Sequence, residues 1–182
     1  LMKAVTASGM ITEYTYDSLG NKITEKTGDS LMSYEYDGEG RIRKIVQPTG
    51  EEIVYTYDKR GNCLTETDGR GNSYVYTYDA ASNLTSSTDP LGNKTSYTYD
   101  IYGRCIKVTD PKGNSTAYAY DGNGNCIRQT NAAGTVTEMT YDARNRLIKT
   151  TEKTSEGENV ISFTYDKAGR VTAVTDGEGN TV

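Results

Sequence analysis

A Tyr-Asp pair recurs along this chain at Tyr16-Asp17, Tyr36-Asp37, Tyr57-Asp58, Tyr78-Asp79, Tyr99-Asp100, Tyr120-Asp121, Tyr141-Asp142 and Tyr165-Asp166. The successive spacings are 20, 21, 21, 21, 21, 21 and 24 residues. A fixed period in this range marks a repeat architecture, in which each unit buries its face against its neighbours. Each residue therefore has to be read first by its place in the repeat. One that merely fills its repeat position carries little information about function.

Each unit reads as strand, turn, strand, turn. The first strand ends in Tyr-x-Tyr-Asp, and alternate residues of a strand share a face. The position two before the paired Tyr holds Tyr14, Tyr34, Tyr55, Tyr76, Tyr97, Tyr118, Met139 and Phe163. Two earlier again come Thr12, Met32, Ile53, Tyr74, Thr95, Thr116, Thr137 and Ile161. The intervening positions, such as Thr15, Glu35, Thr56, Thr77, Thr98 and Thr164, are mostly polar. This alternation predicts an antiparallel sheet with one face covered and one wet.

The first turn reads Asp-x-x-Gly-Asn/Arg. An aspartate at its opening accepts a hydrogen bond from a backbone N–H two residues on. Gly20, Gly40, Gly61, Gly103, Gly124 and Gly169 supply a positive φ at its fourth position, with Ser82 and Asn145 as replacements. Together these predict a type I turn closed by a glycine bulge. The second turn repeats the chemistry, as in Asp68-Gly69-Arg70-Gly71-Asn72 and Asp89-Pro90-Leu91-Gly92-Asn93. Pro48, Pro90 and Pro111 all take its second place, where a φ fixed near −65° suits a type I turn. The first unit's second turn, Thr27 to Ser30, is shortened. The segment from Lys153 to Asn159 reads as a longer, charged turn. The reading is one uninterrupted array of eight repeats over residues 1–182, cut from a longer protein. Its sixteen strands in meander order would span roughly 75 Å at about 4.8 Å per strand, and would twist with a fixed hand.

Composition agrees with strands and turns. Only 34% of residues are hydrophobic, but 16 Tyr provide large rings with polar tips, and 19 Gly mark turns. A net charge of −5 without a basic run argues against nucleic acid as a partner. No apolar stretch has the length of a membrane span. Cys63, Cys105 and Cys126 occupy a slot filled elsewhere by Ile42, Leu84, Leu147 and Val171, with Lys22 as the polar exception. They read as small hydrophobes. Equivalent positions of adjacent repeats lie roughly 9–10 Å apart, beyond the ~7 Å a disulfide spans.

The run Tyr97-Thr98-Tyr99-Asp100-Ile101-Tyr102-Gly103-Arg104, continued by Thr109-Asp110-Pro111-Lys112-Gly113-Asn114, resembles the YD-repeat or Rhs-repeat family. Cys105 stands in that motif's Leu slot, and the likeness covers essentially the whole chain. The resemblance implies an all-β strip of antiparallel hairpins, about two strands per repeat, wound into a spiral shell. In bacterial Rhs proteins, wall-associated proteins and insecticidal toxin complexes such a shell encloses a C-terminal toxin. In animal teneurins a similar shell serves adhesion. The expected role is therefore a structural, non-enzymatic section of a shell around an effector, in a secreted or cell-surface bacterial protein. The expected partners are neighbouring repeats, the enclosed effector, and another copy pairing with an exposed edge strand. The alternative is an adhesion or carbohydrate-binding module.

The residues that carry this reading are structural: the paired tyrosines Tyr16 to Tyr165, the aspartates Asp17 to Asp166 that follow them, and Gly61, Gly103 and Gly124. A row of such aspartates suggests Ca²⁺. One turn aspartate per 21 residues, however, puts neighbours roughly 9–10 Å apart, so turn capping is the preferred role and no metal or cofactor is expected. The resemblance also implies that some shells of the family carry a region where an aspartate cuts the chain and frees the toxin. Asp89-Pro90 and Asp110-Pro111 look like such sites, yet both fall in the ordinary repeat turn, and the family's self-cleaving region lies outside the repeats. With no His there is no Ser-His or Cys-His nucleophile, and no catalytic residue is expected. The tyrosine row could stack against sugar rings; packing within the strip is the preferred reading. Asn83-Leu84-Thr85, Asn93-Lys94-Thr95 and Asn114-Ser115-Thr116 match glycosylation acceptors, but each arises from a turn Asn followed by a strand Thr.

Overall fold

The computed structural model describes residues 2–5 and 10–182. Of the array expected over residues 1–182, Leu1 and residues 6–9 lie outside the described residues. The described residues form seventeen β-strands and no helix. They divide into two compact units, Leu1–Lys94 and Thr95–Val182.

The first unit holds β1 (Met2–Val5), β2 (Ile11–Tyr16), β3 (Lys22–Thr27), β4 (Ser30–Tyr36), β5 (Ile42–Val46), β6 (Glu52–Tyr57), β7 (Cys63–Asp68), β8 (Ser73–Tyr78) and β9 (Leu84–Thr88). The second, opened by β10 (Lys94–Tyr99), holds β11 (Cys105–Thr109), β12 (Ser115–Tyr120), β13 (Cys126–Thr130), β14 (Val136–Tyr141), β15 (Leu147–Thr154), β16 (Gly157–Tyr165) and β17 (Val171–Asp176). Within each unit every strand pairs antiparallel with its neighbour in sequence. The eight repeats supply β2 to β17, two strands each. The seventeenth strand is β1, which precedes the first Tyr-Asp pair and pairs Met2 with Tyr14.

The two kinds of neighbour differ in how far their ladders run. Inside a repeat the ladder reaches the Tyr of the Tyr-Asp pair, which faces the slot residue: Tyr36 faces Ile42, Tyr57 faces Cys63, Tyr120 faces Cys126. The register shifts there, so one residue of the second strand (Arg43, Leu64, Ile127) is extra. Such bulges strengthen the local twist. Between repeats the ladder stops earlier, at Lys44 with Val54, Lys107 with Ala117 and Arg128 with Glu138. Ile42, Cys105 and Cys126 lie beyond these last pairs. Adjacent repeats are thus splayed at the edge that carries the Tyr-Asp turns.

One stretch differs from the sequence reading. Lys153 to Asn159 is not a long turn. The strands run on through it, with Lys153 opposite Glu158 and Thr154 opposite Gly157, so only Ser155 and Glu156 turn. Cross-strand pairing uses the charges that read as a loop: Lys153 Nζ lies 2.7 Å from Glu138 Oε2 on β14. The shortened turn at the first repeat is a two-residue hairpin between Thr27 and Ser30, with Gly28 at a φ of 60°.

No apolar residue among the described ones is buried. Only Ser86 (4%) and Thr151 (8%) reach that state. The alternation appears instead as half-buried against exposed. In β6, Ile53, Tyr55 and Tyr57 are half-covered while Val54 and Thr56 are exposed; β12 repeats this with Thr116, Tyr118 and Tyr120 against Ala117 and Ala119. Within each unit, among the described residues, the covered face is covered by its neighbours in the sheet. On the other face hydroxyl side chains pair across strands, as in Thr56 with Thr65 at 2.6 Å and Thr77 with Ser86 at 2.7 Å.

Candidate functional site

The edge lined by the Tyr-Asp turns brings the repeat's signature residues together. Its unit is the loop from Asp to the fifth residue. In Asp58 to Asn62, the Gly61 N–H donates to the Asp58 carbonyl (3.1 Å) and the Asp58 N–H donates to the Asn62 carbonyl (2.9 Å). Asp58 Oδ1 accepts the Arg60 and Asn62 N–H groups, and Oδ2 accepts Asn62 Nδ2. Gly61, Gly103 and Gly124 have φ of 91°, 77° and 90°, the left-handed region that glycine enters without cost. Asp17, Asp37, Asp79, Asp100, Asp121, Asp142 and Asp166 open turns closed by the same pair of backbone bonds. The second turns at Asp68, Asp89, Asp110 and Asp176 do likewise, and Asn131 stands in for aspartate in one of them.

These bonds favour the charged carboxylate. The side-chain hydrogen bond from Asn62, Asn83 or Asn125 holds Asp58, Asp79 and Asp121 below the ordinary carboxylate range. The Arg146 hydrogen bond pushes Asp142 down to about 2. Both oxygens of each such carboxylate therefore serve the turn. Among the described residues, no group of three or more His, Cys, Asp or Glu is placed to hold a metal ion. The thiols of Cys63, Cys105 and Cys126 are free, and each donates to the carbonyl two residues on.

The paired tyrosines have a role that sequence reasoning missed. Tyr36, Tyr57, Tyr120, Tyr141 and Tyr165 donate their hydroxyls to the carbonyls of Lys22, Ile42, Cys105, Cys126 and Leu147, at 2.7–2.9 Å. Each acceptor is the slot residue of the preceding repeat, just past the point where the inter-repeat ladder stops. A carbonyl left there without a partner would cost about 1–3 kcal/mol if kept from water. The phenol is long enough to close the splayed gap.

The fifth turn residue adds a second link. Arg41, Arg104 and Arg146 bind their own turn carboxylates through Nε, at 2.6–2.7 Å. Their Nη1 atoms donate to the carbonyls of Asp58, Asp121 and Asp166 in the next repeat, at 3.0, 2.9 and 3.3 Å. Their guanidinium carbons sit 4.7, 4.9 and 4.6 Å from the ring centroids of Tyr57, Tyr120 and Tyr165. An asparagine in this position is too short for that reach. At two such places the next repeat reaches back: Asn62 Nδ2 donates to Ser82 Oγ (3.1 Å), and Asn125 Nδ2 donates to Asn145 Oδ1 (3.0 Å). Among the described residues, Ser82 and Asn145 are the non-glycine residues with positive φ, at 67° and 59°. The sequence signal was there: both glycine replacements follow a repeat whose turn ends in Asn.

A family model described as RHS Repeat matches residues 36–73, 57–94, 78–116, 120–158 and 149–181. No curated protein matches the chain. Among solved structures, that of the Photorhabdus luminescens Tc holotoxin pore is similar at 17% identity and a TM-score of 0.44, over 100% of this chain and 14% of that one. The TcdB2-TccC3-TEV structure is similar at 16% identity and a TM-score of 0.37, over 96% of this chain and 14% of that one. A porin-like protein from Bacteroides uniformis is similar at 14% identity and a TM-score of 0.38, over 99% of this chain and 92% of that one. The chain spans about one-seventh of the toxin chains it matches (14%). The five family matches together take in residues 36–116 and 120–181, most of the chain, and the turns and tyrosines described above are the positions that repeat through them, so the chain belongs to the RHS repeat family.

Proposed function

We propose that this chain is a section of the wall of an RHS-repeat β-shell that encloses a C-terminal toxin or effector of a secreted or surface-displayed bacterial protein. The observation that carries this reading is the single layer within each unit. Among the described residues of either unit the strands touch only their neighbours in sequence, and no apolar residue is buried. A globular domain packs a second layer against its apolar face. A strip that instead spends its hydrogen bonds on joining repeat to repeat has the construction of a wall. Its mechanism is confinement: the wall keeps a passenger from solvent and from its targets, and no group of the wall acts chemically. The eight repeats are then one stretch of a longer array.

Limited proteolysis with mass spectrometry on the full-length parent tests this. Enclosure predicts that the region C-terminal to the array resists protease while the repeats are folded and is cut once they are denatured. Equal cutting of that region in native and denatured protein would overturn enclosure and favour a surface adhesion or glycan-binding role.

A further inference from the structure

The first and third repeats carry the same four-residue arrangement with one exchange. In the first, Lys22 Nζ lies 2.5 Å from Glu25 Oε2, 4.8 Å from the Tyr34 ring centroid and 5.6 Å from that of Tyr14. An ammonium held between two tyrosine faces and a carboxylate is a built cation site. The hydrogen bond to Glu25 raises the Lys22 ammonium above the ordinary lysine value. The Lys22 and Glu25 side chains are 32% and 35% exposed, so the site opens to solvent.

Counting from each Tyr-Asp pair, Tyr55, Glu66 and Tyr76 are the counterparts of Tyr14, Glu25 and Tyr34. The registers agree: Tyr14 faces Glu25 on β3, and Tyr55 faces Glu66 on β7. The other repeats carry Ile45, Ser87, Val108, Gln129, Thr150 and Val174 in place of the glutamate. Burial, and after it the charge of Glu66, pushes up the Tyr55 and Tyr76 phenols and the Cys63 thiol. The exchange is at the cation: the counterpart of Lys22 is Cys63, which is short and uncharged. A further aromatic is added. Tyr74 stands opposite Glu66 where the first repeat has Met32 opposite Glu25. Tyr74 is 45% exposed and, with Glu66, Asp68 and Pro90, lines a shallow depression of about 220 Å³.

We propose that Tyr55, Tyr76 and Glu66, with Tyr74 at the rim, bind the ammonium of a lysine side chain presented by another polypeptide segment. Lys22 is the occupant of the matching site in the first repeat, and it defines the chemistry: a primary ammonium on an unbranched alkyl stem. This inference does not rest on the shell reading.

The test is an NMR titration of the chain, following the aromatic signals of Tyr55 and Tyr76. The probes are the peptide acetyl-Gly-Lys-Gly-amide and its norleucine counterpart, which keeps the stem and lacks the charge. The lysine peptide is expected to shift both tyrosines saturably, and the norleucine peptide to leave them unmoved. Glu66→Gln should weaken binding about tenfold, the loss of one charge-assisted hydrogen bond. Cys63→Lys should abolish the response by supplying an internal occupant, and Lys22→Cys should create a second response at Tyr14 and Tyr34. Equal shifts from the norleucine peptide, or an undiminished response in Glu66→Gln, would overturn the proposal. These two readouts decide it even should Cys63→Lys fail to fold.

Discussion

At the scale of the residue, the turn aspartate does the most with the least reach. Each one accepts two backbone N–H groups and one side-chain donor, as at Asp58, Asp79 and Asp121. This was legible in the sequence because it is local: five consecutive residues hold every partner. It has a consequence for pH. The folded state lowers these carboxylates, Asp142 to about 2. A depressed carboxylate contributes stability that is fully present above its unfolded value of about 3.9 and is lost as pH falls through the folded value. The sheet's circular dichroism should therefore persist at pH 4 and disappear between about pH 4 and pH 2. Loss centred above pH 5 would mean that these carboxylates do not hold the turns. The tyrosine hydroxyl was not legible in the same way. Its acceptor lies a full strand pair upstream, and the acceptor is open only because neighbouring repeats splay.

At the scale of the element, the hairpins divide into those the sequence described well and those it did not. Asp-x-x-Gly-Asn/Arg fixed the register inside each repeat, bulge included. Lys153 to Asn159 was misread because Lys153, Glu156 and Glu158 look like a solvated loop; only the facing strands show that Lys153 pairs with Glu138 and lets β15 and β16 extend. Ser82 and Asn145 were read as lapses from glycine. The structure gives them work, since each carries a side chain that a glycine could not offer to Asn62 or Asn125. A double-mutant cycle tests this. Ser82→Gly alone should change unfolding free energy by less than about 0.5 kcal/mol, because relief of the left-handed backbone, about 1 kcal/mol, offsets a lost hydrogen bond of similar size. In an Asn62→Ala background the same change should stabilise by about 1 kcal/mol, since only the relief remains. Equal effects in both backgrounds, measured by urea melts, would show that Asn62 and Ser82 do not act together.

For the whole molecule, the repeat and its two strands per unit were legible in the sequence, but β1 and the source of the stability were not. Period, alternation and turn chemistry lead to paired hairpins. They also suggested a covered face, and the described residues contain no buried apolar side chain. Beyond the backbone ladder between repeats, a line of polar links along the turn edge joins one repeat to the next: phenol to slot carbonyl, and guanidinium or carboxamide to the next turn. Such links are hard to see in a sequence because they run between residues about 15–20 positions apart whose side chains are not apolar and follow no periodic pattern of hydrophobicity. The most direct measurement is a urea melt of the chain carrying Tyr57→Phe, Tyr120→Phe and Tyr141→Phe together. Each substitution keeps the ring and removes only the hydroxyl that reaches the preceding repeat. If the tyrosine links hold the repeats together, the variant should lose about 3 kcal/mol, roughly 1 kcal/mol for each bond. A melting midpoint indistinguishable from that of the unsubstituted chain would contradict it and assign the cohesion of the strip to the backbone ladders and ring packing.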